Sequence, residues 1–135
     1  MGIINDDIPR KESFEFFEKA VPKHEKVNRL EKIGIQLYKL KRTYGDTIII
    51  YLTNLYTVGL ADYYDIIENH PNVNAIITIS NWNGYTKQAK REAEKDNVGI
   101  YVFTEFMGAL HWDEYVRYFK EDNKGRRINF GMRSS

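Results

Sequence analysis

The chain of 135 residues has the length of one ordinary domain, and 20 Lys plus Arg against 19 Asp plus Glu leave a formal charge of +1, so any electropositive surface must be a local patch. It contains no Cys, which excludes disulfides, thiolate zinc sites, iron–sulfur clusters and cysteine nucleophiles. The 14% aromatic content, rich in Tyr and Phe, points to large side chains in a core or at an interface.

In chain order, Asp7-Ile8-Pro9 reads as a helix start, with Phe14, Phe17 and Val21 on one face. Pro22 then begins or kinks a second helical segment, KHEKVNRLEKI, with Val27, Leu30 and Ile33 as its apolar stripe. The mixed charges of residues 1–33 read as a solvated helix face, with Glu18 and Glu31 the acids to watch for function. Gly34 ends that pattern. IQLYKLK and TIIIYLT read as two strands joined by a tight turn at Gly45 and Asp46, and the apolar run from Ile48 to Leu52 predicts a central strand covered on both faces.

From Thr57 the period turns helical, with Leu60, Tyr63, Tyr64 and Ile67 on one face and Asp62, Asp65 and Glu68 on a solvated one. AIITIS, TKQAKREAEKDN and VGIYVF follow as strand, helix and strand, an alternation that implies parallel strands with helices on the sheet. Ala89 and Ala93 let the intervening helix approach the sheet closely. Thr104 is the expected cap of a last helical region that runs through Phe106, Leu110, Trp112, Val116 and Phe119. The predicted organisation is a single α/β domain over 1–122 and a basic tail over 123–135, the tail docking on its own fold, on a second chain or on another partner.

Between the third strand and the next helix lies SNWNGYT, residues 80–86. Its Ser and Asn residues suit a strand end, Gly84 a turn and Thr86 a helix cap, which leaves Trp82 and Tyr85 as the candidate binding contacts. His24, His70 and His111 fit no short metal-ligand spacing, and Ser80 lacks the glycines of a nucleophile elbow. No phosphate loop or dinucleotide fingerprint is present. Three basic groups are candidates for phosphate contact: Lys39, Lys41 and Arg42; Lys87, Lys90 and Arg91; and Arg126 with Arg127 in the tail. No apolar run is long enough to span a membrane, the first residues lack a signal-peptide stretch, and Asp6 stands where a myristoylation signal wants Ser or Thr, so the expectation is a soluble cytoplasmic protein.

The stretch NAIITISNWNGYTKQAKREAEKDNVGIYVFTEFMGAL, residues 74–110, resembles the C-terminal half of Mrr-like restriction endonucleases in the PD-(D/E)xK nuclease superfamily. The resemblance implies a small mixed sheet flanked by helices. It also implies a site in which an Asp, followed by an acid or Gln one residue before a Lys on a strand, holds Mg2+ or Mn2+ and activates water. Asp46 is then the candidate first carboxylate, as catalytic residue and metal ligand. The second motif falls on Tyr51, Leu52 and Thr53, which supply neither carboxylate nor amine. Matching spacings occur only at Gln88-Ala89-Lys90, on a predicted helix, and at Asp122-Asn123-Lys124, in a turn. The leading expectation is a catalytically degenerate nuclease-like protein, without a cofactor, that binds DNA, RNA or a protein as an accessory factor in DNA transactions. The alternatives are an active metal-dependent endonuclease, with a relocated site drawn from Glu18 or Glu31, Asp46 and Lys39, Lys41 or Lys87, and a protein-interaction module acting as a homo-oligomer or inhibitor subunit.

Overall fold

The computed structural model describes residues 7–121, 123–128 and 131–133, with no side-chain description for Lys120, Glu121, Arg127 and Ile128. Helix α1 (Lys11–Ala20) starts later than Asp7 suggested, with Arg10 at its N-cap and Phe17 buried. Asp7 is used elsewhere: its carboxylate accepts the Tyr51 hydroxyl at 2.5 Å and its carbonyl accepts the Asn54 N–H at 2.7 Å. Pro22 sits in the first turn of a short 3-10 segment (Val21–Lys23), and the chain leaves it extended at His24.

The second helix expected after Pro22 does not form. Residues 27–32 are strand β1 (Val27–Lys32), antiparallel to β2 (Leu37–Arg42). A bulge between Val27 and Arg29 explains the misleading pattern. One extra residue turns the strand period of two into a spacing of three, so Val27 and Leu30 face the same core as they would on a helix. Ile33, the third member of the supposed stripe, is exposed.

Strand β2 alternates cleanly, with Tyr38, Leu40 and Arg42 buried and Lys39 and Lys41 exposed. It turns through Gly45, at φ 102°, into β3 (Thr47–Thr53), as the sequence predicts. After the two-residue β4 (Thr57–Val58) comes α2 (Leu60–Asn69), then β5 (Ala75–Thr78), β6 (Gly84–Thr86), α3 (Lys87–Lys95), β7 (Gly99–Val102) and α4 (Phe103–Ala109). The main sheet has the order β1-β2-β3-β5-β7, antiparallel across the first three strands and parallel across the last three, with β3 at its centre. One face carries Leu40, Ile48, Ile50 and Ile77 against Phe17 of α1 and Phe106 of α4. The other packs Ile76 and Ile100 against Tyr63 and Ile66 of α2 and against Ala89 and Ala93 of α3. The molecule is therefore α/β, a mixed sheet between two layers of helix.

Local corrections have local causes. In α2 the buried pair is Tyr63 and Ile66, while Tyr64 faces solvent. Thr86 caps α3 as expected, its hydroxyl accepting the Ala89 N–H at 3.0 Å, and Asn97 ends that helix in the left-handed region at φ 62°. Helix α4 opens one residue before Thr104, because Glu105 reaches back to the Val102 N–H at 3.0 Å. It stops at Ala109. The carbonyls of Leu110, Trp112 and Asp113 accept from the Arg42 guanidinium at 3.2, 2.6 and 3.1 Å, which holds this stretch out of a continuous helix; a 3-10 turn follows at Tyr115–Arg117.

The tail docks on its own fold. Strand β10 (Met132–Arg133) lies parallel to β6, which in turn pairs with β4, giving a small three-stranded sheet. A hairpin of β8 (Lys120–Glu121) and β9 (Arg127–Ile128) spans the expected boundary at 122, so tail and domain share a ladder there. Asp122 itself lies outside the described residues, as do residues 1–6 with the N-terminal lipidation position. Among the described residues no helix is long and apolar enough to cross a membrane.

Candidate functional site

In an open α/β sheet, ligands gather beyond the carboxyl ends of the strands. Here the ends of β3 and β5 carry a network of short polar side chains. Thr78 donates its hydroxyl to the Leu55 carbonyl at 2.6 Å, and Asn83 bridges Thr78 and Asn54, both at 3.0 Å. Ser80 donates to the same Asn54 oxygen at 2.5 Å. Asn83 is buried, so these bonds have little competition from water. Their consequence is a clamped loop. Its tip, Trp82, has 68% of its surface exposed.

Opposite that tip stands the first turn of α1. Arg10, Glu12, Ser13 and Phe16 on the helix side and Ile79, Ser80, Asn81 and Trp82 on the loop side enclose a groove of about 250 Å³. Such a volume lies below the roughly 300–1,000 Å³ of drug-sized ligand pockets, so it suits one ring or one side chain. Phe16 is 52% exposed and is held edge-on against Phe103 at 4.9 Å between ring centres. The back of the Trp82 loop is tied to the tail: the Arg133 guanidinium donates to the Trp82 and Tyr56 carbonyls and stacks 4.4 Å from the Tyr56 ring centre.

Tyr85, paired with Trp82 as a sequence candidate, is not a surface residue. It is fully buried on β6, and its hydroxyl meets both Glu105 oxygens, at 2.9 and 2.8 Å. Glu105 also accepts the Gly131 N–H at 3.2 Å, which joins strand, helix and tail. Lys90, one of the basic candidates, is buried as well: its ammonium donates to the Ile100 carbonyl at 2.6 Å and lies 4.4 Å from the Tyr101 ring centre. It cannot reach a phosphate from there, nor complete a motif with the exposed Gln88. Lys87 and Arg126 are exposed; the Arg127 backbone lies in β9 and its side chain is outside the described residues.

The acids do not gather. Asp46 is gripped by Arg42, Nη2 to Oδ2 at 2.7 Å and Nε to Oδ1 at 2.9 Å, so its carboxylate neutralises a buried guanidinium. Glu18 accepts the Tyr38 hydroxyl at 2.6 Å and lies 3.6 Å from the Lys32 ammonium. Tyr38 and Arg42 are four residues apart on β2, about 13 Å at the usual rise, so the two carboxylates serve distant points of one strand. Glu31 stands opposite Lys39, on the face that Tyr38 and Arg42 do not occupy. Asp62 is occupied in capping α2, accepting the Gly59 N–H at 2.9 Å. Among the described residues no group of three or more His, Asp or Glu side chains is placed to hold a metal ion. The described residues do not fit a two-carboxylate Mg2+ or Mn2+ site.

Two histidines that sequence distance kept apart do meet. The His24 and His111 rings are 4.5 Å apart. His24 accepts the Lys26 N–H at Nδ1 and donates from Nε2 to the Met107 carbonyl at 2.9 Å, so a neutral ring has both nitrogens engaged. No signal in the sequence could have found this contact, because it depends on how the end of α4 returns to β1. A scan of family models, a search of curated proteins and a search of solved structures each returned no match to this chain.

Proposed function

We propose that this chain is a catalytically degenerate, nuclease-like binding protein that holds nucleic acid through the Phe16–Trp82 groove and serves as an accessory factor in DNA transactions. The observation that carries the reading is the groove itself, where two exposed aromatic rings and Arg10 stand on rigid supports beyond the parallel strand ends. An unpaired base stacked there gains about 1–3 kcal/mol, and Arg10 adds charge for the adjoining phosphate. Tyr51, Leu52 and Thr53, which stand in place of the second motif that the nuclease resemblance implies, are buried. Asp46, bound by Arg42, is a structural carboxylate in this reading.

The test is titration of the protein with a labelled single-stranded oligonucleotide at low salt. Trp82→Ala is expected to weaken binding tenfold or more while leaving the melting temperature near that of the parent, since surface truncations move stability by about 0.5 kcal/mol or less. An unbound oligonucleotide at low salt would sink the proposal. Metal-dependent cleavage of plasmid or single-stranded substrate would replace it with the endonuclease reading.

A second reading rests on other side chains. Ile8, Ile33, Ile35 and Tyr56 are exposed near the same end of the sheet, where Asn54 and Gln36 tie their segments to Asp7. Exposed apolar groups of this kind favour a protein partner, a second copy included. Its binding would vary little with salt, whereas nucleic-acid binding falls steeply.

A further inference from the structure

Helices α2 and α3 do not cover the whole of their face of the main sheet. They pack over β3, β5 and β7 through Tyr51, Ile76 and Ile100, and β1 contributes nothing to that core. Beyond Leu37, which borders that core, what β1 and β2 present on this side is charge. Lys39 and Lys41 point outward from β2, and the register sets Arg29 directly opposite Lys41 and Glu31 opposite Lys39. The next strand adds Thr47 beside Lys41 and Ile49 beside Lys39.

Like charges directly opposite each other destabilise a sheet. None of Arg29, Lys39 and Lys41 forms a salt bridge among the described residues, and Glu31 is the one carboxylate that these three strands place on this face. Neighbouring strands lie about 4.8 Å apart and alternate residues about 6.8 Å apart, so the cations form a flat, closely spaced array. A flat array of three cations with one carboxylate, Glu31, keeps a net positive charge and is complementary to a repeating polyanion. Membrane binding would need a broad apolar border to the cations, and the residues directly beside Lys39 and Lys41 across the ladder are Arg29, Glu31, Thr47 and Ile49, of which Ile49 alone is apolar.

We infer that the open half-face of β1 and β2, through Arg29, Lys39 and Lys41, binds the phosphate backbone of nucleic acid, as a contact surface on the opposite face of the sheet from α1 and its groove. The inference rests on the nucleic-acid reading of the groove and adds a second contact surface to it. Phosphate contacts of this sort supply affinity and salt dependence, while the groove supplies the stacking.

The experiment measures binding of the full chain to a labelled single-stranded oligonucleotide, and to its duplex, across a range of KCl concentrations. Arg29→Gln/Lys39→Gln/Lys41→Gln is expected to lower the slope of log affinity against log salt by about 2, from roughly 0.7–0.9 per neutralised phosphate, and to weaken binding at least tenfold near 0.1 M salt. Lys41→Gln alone should lower the slope by about 1 without lowering the melting temperature, because it removes the partner of a repulsive pair. That combination separates a binding role from damage to the fold. A slope and affinity that are unchanged in both variants, with Trp82→Ala still impaired, would overturn this inference and leave the groove standing. Absence of binding by the parent protein at low salt would overturn both.

Discussion

Arg42 follows Lys39 and Lys41 in the sequence, and the three read as one basic run. The pleat separates them. Alternation sends the lysines to solvent and leaves Arg42 1% exposed, with its guanidinium shared between the Asp46 carboxylate and three carbonyls after α4. A planar fork can serve that many acceptors; an ammonium cannot. Arg42→Ala should therefore cost about 3–5 kcal/mol, and Arg42→Lys should recover only part of it. Asp46→Asn should cost about 2–3 kcal/mol: it leaves the buried guanidinium without its counter-charge, but the Asp46 side chain is 42% exposed and Arg42 keeps its carbonyl partners. Denaturant unfolding measures all three; parental stability in Arg42→Ala would remove the structural role assigned here. Asp46 was visible in the sequence as a carboxylate beside a turn. Its partner was hidden, because the choice between guanidinium and metal ion is made by what lies across the hairpin.

At the scale of elements, β6 joins the Trp82 loop to the tail. The sequence reading of SNWNGYT as strand end, turn and cap is right for Thr86, yet β5 ends at Thr78, two residues before Ser80, and residues 84–86 are a strand whose neighbours, β4 and β10, are two residues each. Pairings that short leave no periodicity to read. Gly84 is where they leave a mark: a Cβ there would stand 2.5 Å from the Gly131 carbonyl oxygen and 2.7 Å from Arg133 Nε. Gly84→Ala is thus expected to push β10 away at a cost of about 1–3 kcal/mol, with faster proteolysis of the tail. Combined with deletion of residues 131–135, the substitution should add little beyond the deletion, since the clash has lost its partner. Full additivity in thermal melts would show that the tail does not rest on Gly84. Strand β1 teaches the complementary lesson, for there a bulge copied the spacing of a helix and charge composition could not arbitrate.

Across the whole molecule, buried phenols set the response to alkali. Burial is the main cause that raises the Tyr38, Tyr51 and Tyr63 hydroxyls above the ordinary 10.0, reinforced by hydrogen bonds to Glu18, Asp7 and Asp96; burial alone leads for Tyr101. A raised folded-state value means that the native protein keeps protons the unfolded chain would lose. This stability is intact below pH 10 and declines as the pH rises beyond it. The melting temperature should accordingly fall through that range, and the part of the phenolate absorbance that belongs to the buried tyrosines should appear together with loss of the far-ultraviolet helix signal. Phenolate absorbance that reached the full value for ten tyrosines before unfolding would contradict the buried-phenol account.

The sequence alone determined what depends on neighbours along the chain. It specified the hairpin at Gly45, the buried runs of β3, β5 and β7, the Thr86 cap and the close-packing Ala89 and Ala93, because side-chain period and capping chemistry are local properties. Trp82 stands out the same way, as an aromatic residue that local structure does not explain, and it is exposed. Only the tertiary structure decided which charged groups are free. Arg42, Lys90 and Glu105 are consumed in the interior, Asp46 is bound to one of them, and Arg29, Lys39 and Lys41 share an open face. A charge is written in one residue, but its availability depends on burial and on partners that the fold brings from tens of residues away.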